Sequence, residues 1–420
     1  MLTRRDERAL ARCIAHCRES SRVPAVILDS SVNGLSYVRS LSRQGVPVLC
    51  ADARRGVASK SRFGFFVELA QQVGDDIAGE QSATRLLQRF NEAGIEPVVF
   101  GAADAWQVYL ARLAAEGGCR VRTLLPSAST MDQIVDKQAQ YEAAARLGIR
   151  VAPFANAGQV FRGTLAWDIL PAIIKPRWSH TGRTAIGGKA VRVQCQGELQ
   201  RALAALDQEA DASAYLVQTI IPGGDSCLYA YLGCYDSNGE EAAWLVKRKL
   251  RQCPPGFGDG SFDVSCDNEA VAAAARQLLR GLAYTGLAGV EFKQDPDTGE
   301  LTLIEINPRT VSTNQLAVRA GVDFPWIAYR LIMGESVSRS PDASEGSALP
   351  YAINVHHANE EREFRSLLLR RRAGEVTATA WLREILGAQS YAFWDRSDPW
   401  PFLWSLFSGF KRRVLRTSDS

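Results

Sequence analysis

The sequence predicts a parallel α/β domain followed by an α+β body. Three observations carry this. Residues 23–126 alternate short apolar runs with helical stretches, the pattern of a parallel sheet with crossover helices. Residues 171–193 place a polar, glycine-bearing loop between two apolar strands. Residues 289–309, GVEFKQDPDTGELTLIEINPR, read as a β-hairpin whose carboxylates recur at fixed places on an apolar frame.

Taken in order, residues 1–22 read as a charged amphipathic helix, expected to stand as an appendage. In PAVILDSSVNGLSYVRSLSRQGVPVLCAD, Val26–Leu28 is a buried strand, Leu35–Arg43 a helix and Val46–Cys50 a second strand. Asn33-Gly34 makes the strand-to-helix turn. Asp52 stands where a dinucleotide-binding unit places its acid, but the G-x-G-x-x-G fingerprint is missing, which excludes that reading. A helix at Gln81–Ala93, a strand at Pro97–Phe100 and a helix in GAADAWQVYLARLA complete the domain.

Pro126-Ser127 marks a boundary. A helix bearing Asp136 and Lys137 follows, and AQYEAAARLGIRVAP leads a second helix into a strand; alone, Lys137 reads as a surface lysine. PAIIKPRWSHTGRTAIGGKAVRV sets Lys175 at the end of an apolar strand, ahead of a loop with Gly182, Gly187 and Gly188 and a strand at Ala190–Val193. Backbone N–H groups of such a loop can fold over phosphates while the lysine supplies a point charge; an ordinary mobile hairpin has the same look. His180 in this loop reads equally as a contact or a solvated residue.

Tyr215–Ile221 is an apolar strand ended by Pro222-Gly223-Gly224. Gln218 and Ile221 can read an adenine edge there, and Asp225 can accept from ribose hydroxyls; a hinge with a loop aspartate is the bland alternative. WLVKRKLRQCPPGFGDGSFDV alternates Lys247, Arg248, Lys249 and Arg251, which suits either a solvated edge strand or the wall of an anion site. A helix at Asn268–Ala283 leads to the hairpin, and after it TVSTNQLAVRAGVDFPWIAYRLIMGE is loop, then helix.

The hairpin carries the chemistry. DPDTG is a turn cluster, and pairing the strands about Thr298 sets Glu291 opposite Glu305. Facing carboxylates on neighbouring strands repel. Their retention in an apolar frame of Val290, Phe292, Leu303, Ile304 and Ile306 points to a cation between them. Asn307 shares the face of Glu305, and Pro308 ends the strand and throws Arg309 over the site. Two carboxylates, an amide oxygen and a guanidinium suit a Mg²⁺–phosphate complex, with Mn²⁺ as the alternative ion.

Composition sets limits. Lysine and arginine number 49 against 46 acids, so the balance gives no footprint for nucleic acid. The sequence has no apolar run long enough for a spanning helix, and MLTRRDERALARC lacks a signal peptide's apolar core. Nine cysteines without a CxxC pair fit reduced thiols and a cytoplasmic chain. Cys13, His16 and Cys17 share a helical face, but a fourth metal ligand is missing and a packed helix is the reading.

The series Lys137, Lys175, glycine loop, Gln218 to Asp225, Glu291 and Glu305-Ile306-Asn307-Pro308-Arg309 resembles the ATP-grasp superfamily. Its blocks VNGLSYVRSLSRQGVPVLCAD, KRKLRQCPPGFGDG and the hairpin are similar to those of carboxylate–amine ligases related to D-aspartate ligases and carbamoyl-phosphate synthase domains, over roughly residues 24–335. The resemblance implies a pre-ATP-grasp α/β domain (23–126), an ATP-grasp domain of two α+β subdomains clasping ATP (127–335), a linker (336–350) and a small C-terminal α+β segment (351–420). It implies that Lys137 and Lys175 contact ATP phosphates under the 182–189 loop, with Gly187 and Gly188 at its tip. It places Gln218 and Ile221 at adenine and Asp225 at ribose, although many members carry Glu where Gln218 and Asp225 stand. It further implies that Glu291, Glu305 and Asn307 hold Mg²⁺ and that Arg309 stabilises the acyl-phosphate and tetrahedral intermediate.

The implied reaction activates a small-molecule carboxylate with ATP and joins it to an amine, releasing ADP and phosphate. A kinase or carboxylase on the same scaffold, and a non-catalytic nucleotide-binding or membrane-docking protein, are the alternatives. Arg251, Lys293 and Arg319 are candidates for orienting an acidic substrate, each equally readable as a structural ion pair. In the tail, Trp400, Phe402, Leu403, Trp404, Leu406, Phe407 and Phe410 precede Lys411, Arg412 and Arg413. Such a helix docks its aromatic face on the body or on the inner face of a membrane; docking on the body is the favoured expectation.

Overall fold

A computed structural model describes residues 3–70, 77–178, 189–209, 211–337 and 349–407. Its N-terminal sheet is parallel, in the order β3-β2-β1-β4, from β1 (Ala25–Leu28), β2 (Val48–Asp52), β3 (Phe65–Glu68) and β4 (Val98–Gly101). The run Ala25–Leu28 is buried throughout, as expected of a strand covered by helices on both faces. The helix Val32–Arg43 starts hard against β1: a Cβ on Gly34 would lie 2.0 Å from the Asp29 carbonyl oxygen, so only glycine fits. Asn33 and Gly34 therefore form the first helical turn itself, with Ser31 as its cap.

The first helix, Arg4–Ser20, is not an appendage. Leu10 and Cys13 are buried in the N-terminal core beside Val67, Leu87 and Phe90, and the buried Asp6 carboxylate accepts from Glu68 N at 3.1 Å. Burial also pushes the Cys13 thiol up to about 12, so it is a packed, inert thiol.

A four-stranded antiparallel sheet follows, in the order β5-β8-β6-β7, from β5 (Phe154–Asn156), β6 (Ala172–Pro176), β7 (Val191–Val193) and β8 (Tyr215–Thr219). The larger sheet has seven strands, β13-β12-β9-β10-β11-β14-β15. They are β9 (Leu228–Tyr235), β10 (Glu241–Cys253), β11 (Asp259–Ser265), β12 (Gly286–Gln294), β13 (Leu301–Asn307), β14 (His356–Ala358) and β15 (Ser390–Tyr391). The basic strand β10 lies between β9 and β11, inside the sheet and not at its edge.

The C-terminal residues complete this sheet. β14 pairs with β11, and β15 runs parallel to β14. Tyr351 packs edge-on to Trp244 with ring centroids 5.2 Å apart. The carboxylate of Glu360 accepts from the backbone N–H groups of Ala392, Phe393 and Trp394. The segment after residue 350 is thus woven into the body and also reaches back to the N-terminal domain, where Asp398 meets Arg39 at 3.0 Å with both side chains buried. The final described helical residues put Phe402 and Trp404 against the core.

The β12–β13 hairpin closes through Asp295, whose side chain accepts from Asp297 N and Thr298 N at 2.9 and 3.1 Å. Glu291 pairs with Glu305, but Phe292 then pairs with Leu303. Ile304 is the extra residue of a β-bulge. Simple alternation would send Ile304 to the face opposite Glu305; the bulge lets both line one cleft.

Candidate active site

Two lysines meet because their elements are tied together. Asp136 caps the helix Lys137–Arg146, its carboxylate taking the N–H of Gln138 at 3.0 Å. The same carboxylate grips Arg177, just past β6, through Nε at 2.7 Å and Nη2 at 2.6 Å. This places Lys137, the first residue of the helix, beside Lys175 at the end of β6. Lys175 Nζ donates to Tyr141 Oη and to Gln218 Oε1, each at 2.6 Å, and Tyr141 passes its own hydrogen to the Ile304 carbonyl at the bulge. Burial, with Lys137 adding repulsion, lowers the Lys175 ammonium to about 7 despite the pull of Glu305.

The cleft around these groups lies between the two sheets and holds a cavity of about 140 Å³. Ile173, Ile220, Ile221, Leu228, Phe257 and Ile304 give it apolar walls at one part, while Lys137, Lys175, Lys189 and Lys249 bring positive charge. A slot of this kind suits a flat base followed by a polyphosphate. It opens on a second, polar cavity lined by Asn33, Asp104, Lys247, Asn307, Arg309 and Arg362. The two share Lys189, Lys249, Glu291 and Glu305 along their boundary.

At that boundary the facing acids are held apart by ammonium groups. Lys249 Nζ lies 2.6 Å from Glu291 Oε2, and Lys137 Nζ lies 3.8 Å from Glu305 Oε2. Burial raises the Glu305 carboxyl, but Lys137, Lys189, Lys249 and the Asn307 amide outweigh it and bring it down to about 2. Burial likewise opposes the charge of Lys249, and Glu291 overcomes it, so its pKa is raised. Asn307 Nδ2 donates to Glu305 Oε1 at 3.3 Å. Arg309 spans the site edge: Nη2 donates to Asn307 Oδ1 at 3.2 Å and Nε to Asp104 Oδ1 at 2.7 Å. The N-terminal domain thereby supplies a residue that orients this guanidinium.

Among the described residues no cluster of three His, Cys, Asp or Glu side chains is poised for a metal. The donors present are two carboxylates and an amide oxygen, all hard and all facing one cavity. That set fits Mg²⁺, which keeps water and phosphate oxygens among its ligands and seldom takes a full protein cage.

Several expected roles are corrected by geometry. Asp225 does not line the cleft: it pairs with Arg370 and accepts from Gln252 N, Gln252 Nε2 and Gly256 N, which occupies its oxygens structurally. Gln218 lines the cleft, but its oxygen is engaged by Lys175. Arg251 is bound by Glu363 and Glu384 over the ring of Phe262, away from both cavities. Arg319 lines a separate pocket with Tyr391 and Trp394. Lys293 stands at the apolar end of the cleft, donating to the Ile221 carbonyl at 2.9 Å, and not in the polar cavity. Gly182, Gly187, Gly188 and His180 lie outside the described residues.

Residues 232–354 match the family model described as ATP-grasp in the biosynthetic pathway with Ter operon. That stretch, under a third of the chain, is similar to an ATP-grasp domain. The chain's relatives include the D-aspartate ligase of Enterococcus faecium (strain Aus0004), 28% identical over 123 residues, 29% of each chain. A second is the C-terminal section of the carbamoyl phosphate synthase large chain of Methanopyrus kandleri, 24% identical over 233 residues, covering 53% of this chain and 41% of that protein. The matched stretches thus span less than half of these curated relatives. Among solved structures, the ADP complex of an N5-carboxyaminoimidazole ribonucleotide synthetase superposes with a TM-score of 0.57 at 15% identity, covering 76% of this chain and 79% of that one. The L-amino acid ligase of Bacillus licheniformis gives 0.57 at 15% identity, over 74% of each chain. At such identities these two establish the shared fold. Its ATP-grasp layout accounts for the two sheets facing one cleft, with an α/β domain in front.

Sequence reading had not singled out Lys189, Asp104, Tyr141 or Arg362. Asp104 carried a signal: it follows the carboxyl end of a parallel strand, where α/β sheets place their ligand-facing groups. Lys249 lay in the alternating basic strand, and the choice between solvated edge and anion wall needed the strand order. Arg362 comes from a helix far along the chain and carried none.

Proposed function

We propose that the chain is an ATP- and Mg²⁺-dependent ligase that activates a carboxylate as an acyl-phosphate and joins it to an amine, releasing ADP and phosphate. The observation that carries this is the shared boundary: a half-apolar cleft and a polar cavity meet at Glu291, Glu305, Lys189 and Lys249. A nucleotide in the first would end its phosphate chain where a small substrate in the second begins.

The chemistry follows from charge. A carboxylate oxygen attacking a γ-phosphate must approach an anion, and Lys137, Lys175 and Lys249 reduce that repulsion. The attack forms a C–O–P linkage and breaks the bond to ADP. An amine nitrogen then attacks the acyl carbon, loses its proton and expels phosphate. Arg309, fixed by Asp104, is placed to offset charge gathering on the acyl oxygen. Glu291, Glu305 and Asn307 would hold Mg²⁺, which when bound neutralises phosphate charge. Lys189, Lys249 and Arg362 bring positive charge to the polar cavity, which favours acidic or carboxylate-bearing substrates.

A screen of carboxylates against amines for ADP release, followed by mass spectrometry of the product, tests the reading. ADP formation that requires both substrates, with an amide product, supports it. ADP formed from bicarbonate without any amine would move the chain to the carboxylase alternative, and phosphorylated product without amine to a kinase.

A further inference from the structure

The last described helical stretch has two faces. Pro401 is buried, Phe402 packs edge-on to Trp394 with centroids 5.5 Å apart, and the Trp404 ring sits 5.3 Å from Lys60 Nζ. The other face is bare. Trp400 is 59%, Leu403 36% and Phe407 70% exposed, and their i, i+3, i+7 spacing lines them up. So docking on the body uses only half of the aromatic residues.

Lys60 joins this helix to a second feature. It is crowded on the other side by Arg55 and Arg5, which with burial lower its pKa. Arg55 lines a broad groove together with Arg4, Arg5, Arg8 and Arg12 of the first helix. Positions 4, 8 and 12 recur every four residues, so their guanidinium groups share one exposed face. The acids close by are Asp6, buried as a cap, and Glu68, which with Asp6 is bound to Arg55. The face therefore keeps a net positive charge, and Lys60 links it to the helix that carries the bare aromatic strip.

We propose that this face docks on an anionic phospholipid surface, with Trp400, Leu403 and Phe407 entering the headgroup layer and the arginines of the first helix meeting lipid phosphates. Arginine binds phosphate through two parallel hydrogen bonds, and large aromatic side chains favour the membrane–water boundary. A merely acidic protein partner would satisfy the arginines but leave the aromatic strip in water. Among the described residues no helix is long and apolar enough to cross a membrane, so this is contact from one side.

Co-sedimentation of the full chain with phosphatidylcholine vesicles, with and without roughly one-third phosphatidylglycerol, tests this at about 0.1 M and about 0.5 M salt, which changes screening from a Debye length of about 10 Å to much less. Anionic vesicles are expected to pellet several-fold more protein at low salt than neutral ones. The double variants Arg4→Ser/Arg8→Ser and Trp400→Ser/Phe407→Ser are each expected to lower pelleting several-fold, with melting temperature and ADP formation unchanged. Equal recovery in the supernatant with and without vesicles overturns the proposal. So does loss with only one of the two variants, or arginine-dependent binding to poly-glutamate without vesicle binding.

Discussion

Glu291 and Glu305 face each other across β12 and β13, and each is held by a different ammonium: Lys249 at 2.6 Å from the first, Lys137 at 3.8 Å from the second. Each acid thus has an ammonium beside it that offsets the repulsion between them. Under the proposed ligase reading, nucleotide binding would be an exchange, with the lysines turning to phosphate and the freed carboxylates to Mg²⁺.

Glu305→Gln is expected to lower ADP formation about 100-fold or more, the scale of losing a few kcal/mol of charge stabilisation, while the fold survives. The pH dependence has a definite sign. The Glu305 carboxyl is held down to about 2, below its ordinary 4.5, so its stabilising charge is fully present above that ordinary value and is lost as pH falls towards 2. Wild type should thus melt above the variant at neutral pH, and the gap should close in strong acid. Calorimetry across this range reads the stability effect, and ADP production at the wild-type rate would remove Glu305 from the site.

Lys175 gives a second handle. Its ammonium titrates at about 7 in the ligand-free protein, against an ordinary 10.5, chiefly because it is buried. At pH 8 most molecules hold it neutral, and a bound polyphosphate favours the charged form. Nucleotide binding should therefore take up a proton above pH 7. Calorimetric titration in buffers of different ionisation heats would show the uptake, and Lys175→Met should abolish it together with about a tenfold loss of affinity. Without nucleotide, the unfolded chain holds this proton between pH 7 and the ordinary value while the native state does not, so the group makes stability rise with pH over that interval.

The hairpin was legible in the sequence because every cue agreed: turn residues, apolar frame and facing acids. Its bulge was not, since one extra residue changes neither composition nor period enough to be noticed. Yet Ile304 and Glu305 line one cleft only because of that bulge. Lys175 was legible as the end of an apolar strand, and its lowered pKa was not, because that depends on burial by other elements and on Lys137 arriving beside it. Arg251 misled for the opposite reason. It shares a basic strand with Lys249, but it lies beyond a bulge between Lys249 and Arg251, and Glu363 from a distant helix captures it. Asp225 similarly sits near the right loop and is consumed by Arg370. Long-range partners decide such cases, and no local pattern encodes them.

Asp104 separates positioning from chemistry. It belongs to the N-terminal domain and touches Arg309 at 2.7 Å. Asp104→Asn keeps the shape but weakens the hold on the guanidinium. The expected result is a fall in kcat of about 10- to 100-fold with KM for ATP nearly unchanged, as for misplacement of a group that acts late. Arg309→Lys should show a comparable kcat loss, and the double variant should be little worse than either alone. A rise in KM for ATP without loss of kcat would place Arg309 with the nucleotide instead.

The buried pair Arg39–Asp398 predicts how the C-terminal residues hold to the body. Arg39 Nε meets Asp398 Oδ2 at 3.0 Å, and its Nη2 donates to the carbonyl oxygens of Phe393 and Asp398. Asp398 also accepts from Ser61 Oγ and Arg62 N, at 2.8 and 3.0 Å. Burial works against the charge of Arg39, whose pKa is lowered even with Asp398 beside it. Removing the carboxylate strands a guanidinium out of water, so Asp398→Ala should cost about 3–5 kcal/mol. The nearby Arg43–Asp395 pair is partly exposed, and Asp395→Ala should cost about 1 kcal/mol or less. Urea unfolding of the two variants measures the difference. Limited proteolysis should then cut the Asp398→Ala chain first between Phe393 and Trp400, because that stretch loses its anchor while β14 stays paired to β11. Equal stability of the two variants would mean that the aromatic helix, and not the ion pair, pins the chain end to the N-terminal domain.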